Sequence, residues 1–280
     1  MNVLLIGGSG FVGRHLAAAL RERGDTLAVA SLREPAEAAR VAAACDAVVN
    51  LAGEPLAQRW NAELKRRIEE SRADLPRRFL ELVARDSRRA AVYVSASAIG
   101  YYGTSETATF DEESPPGDGF LAHVCVAWER EARRAADLGM RVAIVRTGVA
   151  LGTDGGALAK ILPPFRAAAG GRVGSGRQWL SWVHIDDLVG IYLMVLNREI
   201  DGVVNACAPN PVTNAEFTAD LGAALHRPTK LPVPTIALRA LLGEGADILL
   251  KGQRVLPRRT ELIGYRFRFP ELKAALANLL

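Results

Sequence analysis

The sequence predicts an α/β protein, a doubly wound parallel sheet with a smaller, mainly helical region at its C-terminal end. Three observations point there. Short β-branched runs alternate with longer Ala, Leu and Arg-rich stretches through the first half of the chain, as in sheets whose strands are buried on both faces and joined by crossover helices. A glycine-rich turn, Gly7-Gly8-Ser9-Gly10-Phe11-Val12-Gly13, links the first apolar run to the first helical stretch. After Arg146 the alternation loosens into a region punctuated by Gly155, Gly156, Pro163, Pro164, Gly174 and Gly176, the composition of loops laid over a site.

In chain order, strands are expected over Asn2 to Ile6, Thr26 to Ser31, Ala47 to Leu51, Ala91 to Ser95 and Arg141 to Arg146. Between them the helical stretches Phe11 to Arg23, Pro35 to Ala44, Asn61 to Arg85 and Phe120 to Leu138 are each long enough for a right-handed crossover. A later strand, Val203 to Ala206, and a helix, Thr213 to Leu225, return to the main sheet, and Pro232 to Leu280 reads as a largely helical tail. The expected division is a dinucleotide-type domain over 1–230, with cleft insertions at about 151–182, and a helical domain over 231–280.

At 280 residues the chain can bury one sizeable core. The net charge of +4 is spread along helices instead of gathered in a patch, and aromatic residues make up only 6%, so nucleic acid is not an expected partner. No apolar run is long enough to span a bilayer, and Met1 leads straight into a strand without a signal-peptide pattern, so no membrane partner and a cytoplasmic location are expected. Cys45, Cys125 and Cys207 are odd in number and far apart, which suggests neither a disulfide framework nor a metal knuckle. No metal site is expected.

The glycine turn carries the first chemistry. Gly7, Gly10 and Gly13 are spaced GxxGxxG immediately after a strand and at the start of a helix. There, missing Cβ atoms let the backbone turn sharply and approach a pyrophosphate, which the helix N-terminus attracts with unpaired N–H groups. Gly7, Ser9, Gly10, Phe11, Val12 and Gly13 are therefore candidate cofactor contacts. At the end of the second strand, where an NAD-selective site places Asp or Glu, this chain has Ser31-Leu32-Arg33. A guanidinium at that point suits a 2′-phosphate, and Ser31 adds a hydroxyl, so NADP(H) is expected in preference to NAD(H).

Longer motifs support a family resemblance. Asn50-Leu51-Ala52-Gly53-Glu54-Pro55, Ser95-Ala96-Ser97-Ala98, Tyr101-Tyr102-Gly103, Arg146-Thr147-Gly148-Val149-Ala150-Leu151-Gly152, Gly174-Ser175-Gly176-Arg177-Gln178-Trp179 and Trp182-Val183-His184-Ile185-Asp186-Asp187-Leu188 resemble the extended short-chain dehydrogenases. Within them they resemble the atypical, epimerase-like YfcH or 39U subgroup, which has a C-terminal domain of unknown function. The resemblance covers nearly the whole chain and implies a Rossmann fold. It places cofactor contacts on Arg33, Leu51, Ala52, Gly53, Glu54, Arg72, Ser95, Ala96 and Val149. Pro76 departs from the small polar residue usual in relatives.

Standard members pair Tyr and Lys as YxxxK on a helix. Aligned on Glu129, this chain has Leu121 at the tyrosine position and Cys125 at the lysine position, and neither relays a proton as that pair does. Ser97, at the carboxyl end of a central strand, is then the candidate to hydrogen-bond a substrate oxygen, with Tyr101 or Tyr102 as the replacement proton donor. Cys125 is either a reactive thiol or, by preference, a small core filler. Asp186 is expected to cap a helix, His184 to lie near the edge of the substrate cleft, and Lys160, Gln178 and Trp179 to line the pocket. The expected activity is an oxidoreductase or epimerase acting on a small-molecule carbonyl or hydroxyl compound; the alternative is an NADP(H)-binding redox sensor or regulator with little turnover.

Overall fold

The structure is a computed structural model that describes residues 1–229 and 231–280; Lys230, at the expected domain boundary, lies outside the described residues. In chain order the strands are β1 (Asn2–Ile6), β2 (Thr26–Ala30), β3 (Ala47–Asn50), β4 (Val92–Ala98), β5 (Thr109–Phe110), β6 (Arg141–Thr147), β7 (Val149–Leu151), β8 (Trp179–Leu180), β9 (Trp182–His184), β10 (Gly202–Ala206), β11 (Val212–Thr213) and β12 (Arg254–Val255). The helices are α1 (Phe11–Glu22), α2 (Pro35–Ala42), α3 (Ala62–Glu69), α4 (Leu75–Val83), α5 (Phe120–Arg133), α6 (Gly156–Arg166), α7 (Ile185–Asn197), α8 (Asn214–Ala224), α9 (Thr235–Leu242), α10 (Asp247–Leu250), α11 (Arg258–Leu262) and α12 (Leu272–Leu279).

Six strands form a fully parallel sheet in the order β10-β6-β4-β3-β1-β2. Alternate residues of each strand feed opposite layers, because strand side chains have a period of two. Val3, Leu5, Val49, Val94, Ala143 and Val145 pack under α1 and α7, whereas Leu4, Ile6, Val48, Tyr93 and Ile144 pack under α2, α4 and α5. The chain leaves β1 toward β2 and then doubles back across β1 to β3. With right-handed crossovers, that reversal places α1 and α2 on opposite faces. In open sheets of this topology a ligand is expected in the crevice above the loops that follow β1 and β3, at the carboxyl ends of the strands.

Three local differences from the sequence reading matter for the site. Strand β4 runs on to Ala98, since its pairing with β6 continues through Ser97↔Arg146 and Ala98↔Thr147. The single helix expected over Asn61 to Arg85 is interrupted by a π-helical turn, Glu70–Asp74, between α3 and α4; such wide turns recur at functional sites. The tail is only partly helical. It contributes β12, which pairs in parallel with β5, and an extended segment from Tyr265 to Phe269 that Asp187 holds. Its last helix, α12, buries Leu272, Ala275 and Leu276 in a satellite core with Phe217, Leu221 and Trp182.

Candidate functional site

The glycine turn forms a cradle that side chains would fill. Gly7 sits at φ 81°, and a Cβ on it would lie 2.9 Å from Ala52 N. A Cβ on Gly13 would lie 2.3 Å from Gly7 O. The β1 loop, the β3 loop and the first turn of α1 therefore touch backbone to backbone. Helix α1 starts after Gly10 with no side-chain cap and no acidic residue in its first turn; the Gly10 N–H bonds to Gly7 O at 3.1 Å, and no side chain competes for the positive end of the helix. Ser9 and Gly10 are exposed at its mouth, and Phe11 and Val12 are half-buried. The residues present fit a diphosphate.

At the β2 edge of the crevice the Ser31 hydroxyl accepts the Arg33 backbone N–H at 3.2 Å. That bond turns the chain so that Leu32 is buried and Arg33 exposed. Among the described residues no acceptor engages the Arg33 guanidinium, so it remains free for an anion.

Across the crevice, Asn50 Oδ1 accepts from Ala52 N at 3.1 Å and shapes the turn after β3. The π turn then clamps the following loop. Ser71 Oγ accepts the Glu54 N–H at 3.0 Å, and Arg72 Nη2 donates to the Glu54 carbonyl at 3.1 Å. Burial lowers the Arg72 pKa from its ordinary value, and its guanidinium lies 5.1 Å from the Trp128 ring centroid. Leu51, Ala52, Gly53, Glu54 and Arg72 are thus brought together along one wall of the crevice.

The carboxyl end of β4 carries a buried network. Ser97 Oγ donates to Glu129 Oε1 at 2.8 Å, and Arg146 binds both Glu129 oxygens from Nε and Nη2 at 2.7 and 2.9 Å. Arg133 adds a fourth donor at 2.9 Å. A carboxylate only accepts, so the Ser97 proton is committed to Glu129. Ser97 is itself buried, at 3% exposure, and with its proton on Glu129 only its lone pairs remain for the hydrogen bond to a substrate oxygen expected from the sequence. Ser95 is buried with its hydroxyl on the Ala96 carbonyl at 3.0 Å, and Val149 lies half-buried on β7.

The two tyrosines separate. Tyr102 is buried, donates to Asn205 Oδ1 at 2.7 Å and accepts from Arg146 Nη1 at 2.9 Å. Burial pushes its pKa up, against the opposing pull of Arg146. Tyr102 therefore belongs to the core and not to the cleft. Tyr101 is half-buried, its ring stacks on the Arg146 guanidinium at 3.4 Å, and its hydroxyl has no partner among the described residues. Cys125 faces the same turn; burial, with Glu129 nearby, pushes its thiol up to about 11. The group at the family's lysine position is thus an un-ionised thiol at neutral pH, closer to a core filler than to a reactive nucleophile.

His184 is buried and, in place of the expected Asp186, caps α7 by accepting the Asp186 N–H at Nδ1, 3.1 Å away. Its ring stacks on Phe269 at 4.0 Å. Asp187, for which the sequence suggests no role once a metal site is set aside, is buried and accepts from Tyr265 Oη, Arg268 N and Phe269 N at 2.8–3.0 Å; only its place in a dense apolar helix hinted at this. Gln178 is buried with its amide on the Val173 and Leu249 carbonyls, Trp179 is half-buried, and Lys160 is exposed.

Burial lowers the His184 pKa below its ordinary value of 6.5, outweighing Asp186 and Asp187, which raise it. The unfolded chain therefore binds more protons near and below that pH, so this part of the stability is complete above about pH 6.5 and is lost as pH falls toward the depressed folded value. His184→Asn keeps a capping side chain but removes the titration. The difference in melting temperature between wild type and H184N should shift against the wild type from pH 7.5 to pH 5.5, and a pH-independent difference would refute the assignment.

Comparison with known proteins gives a consistent picture. Residues 3–207 match the NAD dependent epimerase/dehydratase family, and residues 233–279 match a domain of unknown function, DUF1731. The chain is 44% identical to the chloroplastic epimerase family protein SDR39U1 homolog of Arabidopsis thaliana, over 100% of this chain and 87% of that protein. The crystal structure of human epimerase family protein SDR39U1 (isoform 2) with NADPH superposes with a TM-score of 0.91 at 38% identity, covering 100% of this chain and 99% of that one. UDP-glucose 4-epimerase of Thermotoga maritima, at 17% identity and TM-score 0.83 over 100% and 97% of the two chains, shares the fold alone.

Proposed function

The chain belongs to the NAD dependent epimerase/dehydratase family, and from that premise we propose that it is an NADP(H)-dependent oxidoreductase or epimerase-like enzyme for a small carbonyl or hydroxyl compound. The observation that carries the reading is the uncapped, acid-free N-terminus of α1 inside a glycine cradle, flanked by the free guanidinium of Arg33. The relative crystallised with NADPH supports the choice of cofactor.

When bound, the nicotinamide supplies or accepts a hydride. The chain's own residues handle the oxygen and its proton. Tyr101, whose phenol has no partner among the described residues, gives a proton to a carbonyl oxygen as it becomes a hydroxyl, or takes one in the reverse direction. Ser97, held as an acceptor by Glu129, orients the hydroxyl form. The buried ion pair beneath Tyr101 keeps both groups in place.

Arg33→Ala tests the cofactor assignment. Loss of a charge-assisted contact to the 2′-phosphate, roughly 1.5–3 kcal/mol, predicts a loss of about 10- to 100-fold in NADPH affinity with NADH binding nearly unchanged. Equal losses for both would overturn it. A second reading, a cofactor-binding regulator with little turnover, is favoured by Leu121 and Cys125 standing where Tyr and Lys are usual. A panel of aldehydes and ketones, followed at the NADPH absorbance band, separates the two: turnover that falls in Ser97→Ala excludes the regulator, and tight binding without any turnover excludes the enzyme.

A further inference from the structure

Beyond β4, on the side away from the glycine cradle, the tail returns to the carboxyl edge of the sheet. Ser181 Oγ donates to the Gln253 carbonyl and accepts from Val255 N, both at 2.9 Å. Gln253 Nε2 donates to the Ile99 carbonyl at 2.9 Å, two residues before Tyr101. Val255 packs with Ile99 and Tyr102 in one buried cluster. Strand β12 therefore straps the Trp179–Ser181 segment to the turn that carries Tyr101, and Arg254 emerges at that junction.

The Arg254 guanidinium lies 5.1 Å from the Trp179 ring centroid. Nη1 donates to Thr109 Oγ1 at 3.3 Å, while Nε is buried without a partner among the described residues. No carboxylate lies within ion-pair distance of it among the described residues, although nearby acids are matched: Glu106 with Arg177 at 3.3 Å, Asp111 with Arg258 at 3.1 Å, and Asp247 with Lys251 at 2.8 Å. A weakly hydrated guanidinium on an indole face, half out of water and without its own counter-charge, is suited to receive a planar anion. The cofactor diphosphate is not that anion: it belongs at the turn after β1, whereas the junction is tied to the turn after β4, which lies two strand spacings, roughly 10 Å, from β1.

We propose that Arg254, stacked on Trp179, anchors a carboxylate of the substrate, so that the compound presented to Ser97 and Tyr101 is a carboxylate-bearing alcohol or carbonyl. One guanidinium supplies one positive charge, and the remaining cations at the junction are already paired, which matches a monoanion better than a phosphate dianion. The assignment rests on the reading of Ser97 and Tyr101 as the reacting end of an NADP(H) site.

The test uses NADPH-loaded protein, indole ¹⁵N-labelled, titrated with benzoate and with its neutral isostere benzamide. Benzoate should shift the Trp179 indole resonance saturably while benzamide leaves it in place, and Arg254→Gln should weaken benzoate at least about 10-fold with NADPH affinity unchanged. No saturable shift up to about 50 mM benzoate, equal response to both probes, or unchanged affinity in R254Q overturns the proposal. If R254Q loses its indole dispersion, Arg254→Lys decides: weakened benzoate binding supports the fork geometry, and undiminished binding contradicts it. Failure of the wild type to load NADPH sinks the cofactor reading itself; failure of the benzoate arm in loaded protein sinks only the anchor.

Discussion

Glu129→Gln is expected to cost about 3–5 kcal/mol of stability, because it leaves the buried Arg146 guanidinium without its counter-charge. Both partners are almost fully excluded from water, at 0% and 2% side-chain exposure, so neither can rehydrate in place. The amide also turns one oxygen into a donor that faces Arg146 or Ser97. At about two to four degrees per kcal/mol, the slope for chains slightly shorter than this one, the melting temperature should fall by roughly 6–20 °C. Calorimetry checks this, and a shift under about 2 °C would show that the pair is relaxed in solution. Replacing both partners by apolar residues, as in Glu129→Leu with Arg146→Met, should cost less than Glu129→Gln alone, since a well-packed apolar pair avoids the desolvation penalty.

The second large effect is expected at Gly13. A Cβ there would stand 2.3 Å from Gly7 O and 2.8 Å from Gly8 Cα. Both atoms are backbone, so no side chain can swing aside. Gly13→Ala must push α1 away from β1 or distort the turn, and either displaces the N–H groups that face the crevice. NADPH affinity should fall by about 100-fold or more, some 2.7 kcal/mol. Binding within threefold of wild type, in protein with a native near-ultraviolet circular dichroism spectrum, would remove the cradle from the account.

How much of this was legible in sequence depends on the range of the interaction. The β1–turn–α1 unit is written locally, since one apolar run, three spaced glycines and one helical stretch fix it. The place of Ser31 and Arg33 at the end of β2 is local for the same reason. The strand order was not, because it depends on which way each crossover turns. The π turn is invisible in a helical pattern that continues unbroken from Asn61 to Arg85. Ser97 is 32 residues and Arg146 17 residues from Glu129, so nothing local announced that the serine hydroxyl would be spent as a donor or that Tyr102 would be drawn inside. His184 and Asp186 both suit a helix start, and only the geometry separates the cap from its neighbour. Asp187 and Arg254 act through contacts with distant segments, which a single sequence does not pair.

The account depends on the crevice between β1 and β3 holding a dinucleotide by its diphosphate, with Arg33 reading the ribose phosphate. Calorimetric titration of the purified chain with NADPH, NADP⁺, NADH and NAD⁺ measures that directly. Both phosphorylated forms should bind at least about tenfold more tightly than their unphosphorylated counterparts. An absence of heat with all four, in protein that is folded and gains no thermal protection from any of them, would contradict it.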